Sequence, residues 1–508
     1  MALVRTHELH PAASHEASDQ VYNGLDACIT FEVHEELSRL SNREPECYNF
    51  ERALQAPLLE MMLRGFRIDE FERQKSLGVL SESLAQVNGA LQVLARAVWD
   101  RELNPRSHPQ LVSFFYDAMR LPREFRSRKG VRKLSMDRET LEKLDAYFYA
   151  RPIIAAILSF RDIAGLMKKI ATSLDADMRW RTSYNMATET GRLSSSKSAF
   201  GTGDNTQNLK RDDEDEIARG VPSIRKMFIA DSGYKLVNLD LEQTESFDVG
   251  WLHGTLLNDW TYLDSCEKGD LHTQVARMVW PDLPWTGNLR DDRKIADRNF
   301  YRNYSYRDMA KRGGHLTNYM GTAWTMARSL KIPQALAQRF QDAYATGAQA
   351  AFPAFPKWWR YCAQELQSVQ RLVTPYGRER QFFGRPREDA TLREAIAYVP
   401  QSMTADRMNL GLWRIWKHLG HRVQVLAQVH DSVAFQFREG DNEQELIARA
   451  LELTKVPLTN GSRTMTVGAE AKIGWNWGAY DANANPDGLV KWSATQPDRR
   501  ERTKVRTL

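Results

Sequence analysis

Residues 423–437, VQVLAQVHDSVAFQF, constrain the fold more than any other stretch of the chain. β-Branched and aromatic residues alternate on both sides of a two-residue interruption, His430-Asp431, as in two half-buried strands joined by a tight turn. Such tips usually carry Asn-Gly or Asp-Gly. This one carries an imidazole and a carboxylate, with no glycine beside them. The ordinary reading is a solvated turn aspartate. A second stretch of the same design changes it. In YKLVNLDLEQTE (234–245), Lys235 to Asn238 alternate as a strand and Asp240 closes it. Two strands that each end an apolar run on an aspartate can hold two carboxylates side by side. Left alone, the pair would repel and raise a pKa. A divalent cation removes that cost, and Mg²⁺ favours one or two carboxylates with water and substrate phosphates. Two such ions, roughly 3.5–4 Å apart, suit phosphoryl displacement.

Around these strands the pattern is mostly helical. Residues 51–178 read as long amphipathic helices. A Gly/Ser/Thr-rich stretch, TETGRLSSSKSAFGTGDNTQN (188–208), is too polar for a core. Residues 250–372 are helical again, and 392–419 form a long helix that Pro400 is expected to break. MTVGAEAKIGWNWG (465–478) reads as a last strand, and the chain beyond 480 as polar and loose. The fold class is therefore α+β, with a small antiparallel sheet assembled from distant segments.

Bulk properties exclude several classes. No apolar run in the 508 residues approaches the roughly 20 needed to span a bilayer. The first 20 residues lack the apolar core of a secretory signal. The four cysteines form no CxxC pair, which argues against zinc or a disulfide framework and fits a reducing cytoplasm. Net charge is only +5. Basic runs at 123–133, 376–387 and 498–506 are each ordinary solvated loops taken singly; together they suit a polyanionic partner.

In YRDMAKRGGHLTNYMG (306–321), Arg307, Lys311, His315 and Tyr319 recur every fourth residue and share one helix face. Two cations and an aromatic suit a triphosphate and a stacked base. A solvated basic face would interleave glutamates, and this one has none. Gly313-Gly314 inside the row reads as a bendable helix or a break in it.

With these residues in view, the chain resembles the family A DNA polymerases, the polymerase I type, collinearly over nearly its whole length. TETGRLSSS, LVNLDLEQTE, GDLHT, RDMAKRGGHLTNYMG, PQSMTAD, QVHDS and KIGWNWG stand in the order of that family's motifs. The resemblance implies a right-hand polymerase with a helical thumb (47–182), a sheet palm (183–268 and 392–480) and helical fingers (269–391), followed by a basic tail (481–508). It implies template-directed addition of dNTPs to a primer 3′-hydroxyl. Asp240 and Asp431 would hold two Mg²⁺ ions, with Mn²⁺ as an alternative, helped by the Leu241 backbone carbonyl. Arg307 and Lys311 would bind the triphosphate, Lys311 also acting in catalysis, with His272, Gln243 and His315 around the nucleotide. Glu245 would crowd the sugar 2′ position, and Tyr319 would shape the pocket beside the templating base. Arg192, Gln401, His430, Arg393 and Arg161 would contact primer–template DNA. A monomeric, cytoplasmic enzyme is expected, in a bacterial cell or a phage-infected one.

Departures from the family pattern are Ser432 where a third carboxylate is usual, Leu241 for Tyr, Thr244 for Ile, His315 for Phe or Tyr, and Met320 for Gly. They give the chain a phage-like character. Tyr22 and Asp26, in YNGLD, have the Y-x-x-x-D spacing of the family's proofreading exonuclease, so residues 1–46 read as a remnant of that domain. With 21 residues before Tyr22, no 3′–5′ exonuclease is expected from this chain, and a separate exonuclease or other replisome protein becomes a candidate partner. The rival readings are a single-subunit RNA polymerase relative, a two-metal nuclease, and a catalytically weakened subunit that binds primer–template.

Overall fold

Five strands, every neighbouring pair antiparallel, form the sheet that carries both aspartates: β1 (Tyr234–Leu241), β2 (Val423–Val429), β3 (Ser432–Arg438), β4 (Ala469–Gly474) and β5 (Val490–Lys491), in the order β2-β3-β1-β4-β5. The computed structural model describes residues 15–40, 46–128, 131–212, 221–302 and 304–494. β1 is central, so its side chains are covered on both faces. Val237, Leu239 and Leu241 pack into one core with Val433, Phe435 and Phe437. Leu236 joins Phe66, Trp180, Phe228 and Trp477 in the other. Alternation puts Asp240 on the Leu236 face, where Asn238 accepts a hydrogen bond from the Trp477 indole at 3.0 Å.

Helices cover the sheet and build two further lobes. α1 (Glu70–Trp99), α2 (Arg138–Leu144) and α3 (Arg151–Ile170) enclose their own core of Leu91, Phe114, Phe115, Leu141, Ile154 and Ile157. α4 (Thr244–Leu257), α5 (Leu271–Val279), α6 (Tyr306–Asn318) and α7 (Ala323–Leu330) belong to a second lobe centred on Met309, Met326, Phe340, Tyr344 and Phe355. α8 (Asp389–Leu419) runs from that lobe onto the sheet, where Leu412 and Ile415 meet Leu446 and Ile447 of α9 (Glu443–Thr454). A separate helix, His15–Leu40, carries Tyr22 and Asp26.

Three local expectations are corrected. α8 is continuous through Pro400, because its buried side chains on both sides of the proline, including Ile396, Val399, Met403 and Met408, hold it against the body. α6 runs unbroken through Gly313-Gly314. A Cβ on Gly313 would stand 2.7 Å from the Phe340 ring, and one on Gly314 would stand 3.3 Å from the Tyr344 hydroxyl. The glycines admit aromatic rings against the helix. Residues 481–494 are also packed rather than loose: β5 pairs with β4, and Asn485 is buried and bonded to Asn476. Residues 495–508 lie outside the described residues.

Candidate active site

The hairpin tip and the end of β1 meet. Ser432 lies opposite Asp240 in the register, and the Leu241 amide donates to the Asp431 carbonyl at 3.0 Å. His430 adopts a left-handed φ of 56° in the two-residue turn. Gln428 holds that turn: its side-chain amide donates to the His430 carbonyl and accepts from Gln207 at 3.0 Å. Burial, reinforced by the neighbouring Asp431 charge, raises the Asp240 pKa to about 6. Arg211 answers this repulsion. One guanidinium nitrogen lies 3.1 Å from Asp240 and 3.5 Å from Asp431. A single cationic nitrogen within reach of both carboxylates shows that the pair can share a cation, so these residues fit divalent ions. The donor set is a pair rather than a triad, because Ser432 turns its hydroxyl back to the Val429 carbonyl at 2.8 Å.

A cleft of about 730 Å³ opens beside the tip. Asp431, His430, Arg192, Gln243, Glu245, His272, Lys311, His315 and Tyr319 all line it. α6 buries Met309, Ala310, Gly313, Gly314, Thr317 and Asn318, which leaves Lys311 and His315 on its open face. A capping box between Ser305 and Asp308 fixes where the helix starts. Lys311 has no ion-pair partner among the described residues. Arg307 instead grips Asp270, its Nη2 donating to Oδ1 at 2.9 Å. Burial, with the Arg307 and Lys311 charges next, pushes the His272 pKa down to about 4, so the ring is neutral at pH 7. Glu245 is fixed from two sides: the Tyr319 hydroxyl donates to one oxygen, and Arg192 approaches the other at 3.0 Å. Burial and the Glu245 charge together keep the Tyr319 phenol protonated.

Several sequence-derived candidates lie elsewhere. Arg161 spends its guanidinium on the carbonyls of Pro105 at 3.0 Å and Met136 at 2.9 Å, inside the α1–α3 lobe. Arg393 is exposed on α8 one turn after its first residue, Asp389, from which it stands 4.0 Å. Gln401 is half-buried on α8, one turn before Thr404 and Ala405, which line the cleft. Tyr22 and Asp26 are exposed on their helix. Arg211, Gln428 and Asp270 are contributors that reading the sequence did not single out. Asp270 stood two residues before His272 in GDLHT, and that adjacency was the one available signal.

A two-carboxylate strand pair, a cationic helix face and an intervening cleft define the class. Residues 74–479 match the model of DNA polymerase family A, and the chain belongs to that family. It is 27% identical over 491 residues to DNA polymerase I of Chloroflexus aurantiacus, covering 90% of this chain and 46% of that protein. To the thermostable DNA polymerase I of Thermus aquaticus it is 28% identical over 404 residues, covering 76% and 43%. The chain thus spans about half the length of the relatives it matches. A solved structure, the POL domain of Pol1 from M. smegmatis in complex with DNA primer-template and dNTP, is similar with a TM-score of 0.65. The identity is 22%, with 84% of this chain and 70% of that one covered, and the likeness establishes the fold.

Proposed function

We propose that this chain performs template-directed DNA synthesis, adding dNTPs to a primer 3′-hydroxyl with release of pyrophosphate. The observation that carries the reading is the convergence of Asp431, Lys311, His272 and Glu245 on one cleft, with Asp240 beside Asp431. The sheet is then the palm, the lobe of α1–α3 the thumb, and the lobe containing α5–α7 the fingers.

Asp240, Asp431 and the Leu241 carbonyl would hold two divalent cations, Mg²⁺ or Mn²⁺, which when bound lower the pKa of the attacking hydroxyl and neutralise the leaving oxygens. The chain's own groups supply the rest. Lys311, on the open face of α6 and without an ion-pair partner among the described residues, meets the triphosphate and balances charge as pyrophosphate departs. Arg307 provides a planar second contact. Neutral His272 can donate to a phosphate oxygen without adding charge. Glu245, immobilised by Tyr319 and Arg192, walls the side of the sugar where a ribonucleotide carries its extra hydroxyl. Arg192 and His430, both lining the cleft, would face the primer end, where minor-groove acceptors are common to every correct pair.

The test is extension of a labelled primer–template with Mg²⁺ and either dNTPs or rNTPs, with Asp431→Ala alongside. Extension with dNTPs alone, reduced to background in the variant, is expected. Extension with rNTPs would move the chain to the RNA polymerases, and tight primer–template binding without extension would leave a binding subunit.

A further inference from the structure

Asp270 departs from the usual behaviour of its position. It is the N-cap of α5, where an aspartate ordinarily accepts a hydrogen bond from the helix's first free amides. Here its backbone is left-handed, with φ 35° and ψ 64°, and its carboxylate closes no cap hydrogen bond. A non-glycine residue in that conformation is strained. The carboxylate is directed at Arg307. Nε of Arg307 donates to Oδ1 at 3.1 Å and Oδ2 at 3.2 Å, and Nη2 donates to Oδ1 at 2.9 Å. The Thr273 hydroxyl donates to Oδ2 at 2.8 Å, which fixes the carboxylate plane, and Arg293 stands off at 3.9 Å. The grip is side-on. It uses the Nε edge of the guanidinium, while Nη1 donates to no described residue.

We propose that Asp270 is a positioning residue that pre-orients Arg307 for the phosphates of the incoming nucleotide. An unclasped arginine would have to freeze several torsions on each binding event, and the lost rotamer entropy would oppose affinity. The clasp meets that cost in the folded protein and leaves the Nη1 edge for the ligand. Because Asp270 sits two residues before His272, one turn of backbone sets both phosphate-side groups. This inference rests on the reading of Arg307 as a nucleotide contact.

The experiment is steady-state primer extension at varied dNTP with Asp270→Gly and Asp270→Asn, each alone and combined with Arg307→Ala. Glycine accepts the left-handed backbone and asparagine tolerates it, so neither variant adds strain. Asp270→Gly is expected to raise KM for dNTP about tenfold with kcat within about threefold, the signature of lost uniform binding. Asp270→Asn, which keeps a neutral acceptor, should fall between Asp270→Gly and the parent. Neither change should cost anything further in the Arg307→Ala background, since Asp270 acts through that side chain. An unchanged or lowered KM, or full additivity with Arg307→Ala, overturns the proposal. If the parent chain extends no primer, the polymerase reading itself has failed, and that is seen before any variant is compared.

Discussion

His253 lies on α4 with both ring nitrogens buried and without a hydrogen-bond partner among the described residues. The Phe355 ring stands edge-on at 4.6 Å and Tyr262 at 6.2 Å. Burial pushes its pKa down to about 3, opposed only weakly by Asp259. The sign of the pH effect follows. Below the unfolded value near 6.5, the unfolded chain takes up a proton that the folded chain refuses, so stability falls as pH falls, by about 1.4 kcal/mol per pH unit, until about pH 3. His253→Leu removes that slope along with two unsatisfied polar atoms. It is expected to stabilise the protein by roughly 1–3 kcal/mol at pH 7 and by about 2 kcal/mol more at pH 5. Urea unfolding at the two pH values measures both, and a gap that does not widen on acidification refutes the account. At this scale the site was legible in part. Asp240, Asp431 and the Arg307–Tyr319 row announced themselves because each is set by local periodicity, two residues in a strand and about four on a helix. Arg211 and Asp270 did not, because their meaning lies in partners 29 and 220 residues (Asp240, Asp431) or 37 residues (Arg307) away along the chain.

Gly191 shows how an element can depend on one missing methyl group. It lies in the loop between the paired strands Thr182–Asn185 and Ser194–Lys197 and presents Arg192 to the cleft. Its φ is +71°, and a Cβ there would stand 2.5 Å from the Arg378 guanidinium carbon. That guanidinium has little room to yield. It bonds Asp406 at 2.7 Å and Glu51 at 2.6 Å, while Asn409 donates to the Gly191 carbonyl at 3.1 Å. Gly191→Ala is expected to cost about 2–4 kcal/mol and to raise KM for dNTP by loosening the Arg192–Glu245 contact. Gly201 is the control, with φ +77° but nothing within 4 Å of its added Cβ, so alanine there should cost only about 1 kcal/mol. Equal losses at the two sites in urea titrations would mean that backbone strain alone is at work. The same competition explains which elements the sequence disclosed. β1, β2 and β3 were readable because alternation survives burial on both faces. Pro400 and Gly313-Gly314 misled because local propensity is a weak term beside the packing of α8 on the body and of Phe340 and Tyr344 on α6. β5 was missed because two residues, Val490 and Lys491, carry no period at all.

The lobes themselves are joined by a contact that no local pattern contains. Arg328 on α7 donates to Glu139 on α2, a pair 189 residues apart that bridges the two helical lobes. Glu139 also meets Arg126 and lies 3.9 Å from Lys143, and Arg328 packs over the Trp324 ring at 5.3 Å. Both partners are partly exposed, with side-chain accessibilities of 35% and 47%, so the bridge is worth no more than about 1 kcal/mol to folding. Its position matters more than its strength. If the lobes must separate to admit a duplex between them, 1 kcal/mol of restraint slows entry about fivefold. Arg328→Gln separates this from ordinary charge attraction, because losing a cation by itself weakens encounter with DNA. A rise of up to about fivefold in primer–template association at low ionic strength is therefore expected only if the bridge restrains opening. The advantage over the parent should shrink as added salt screens the exposed pair, with the Debye length falling to about 8 Å at physiological ionic strength. Stopped-flow association at two salt concentrations decides it, and an unchanged or lower rate for Arg328→Gln at low salt would show that the lobes open freely despite the bridge.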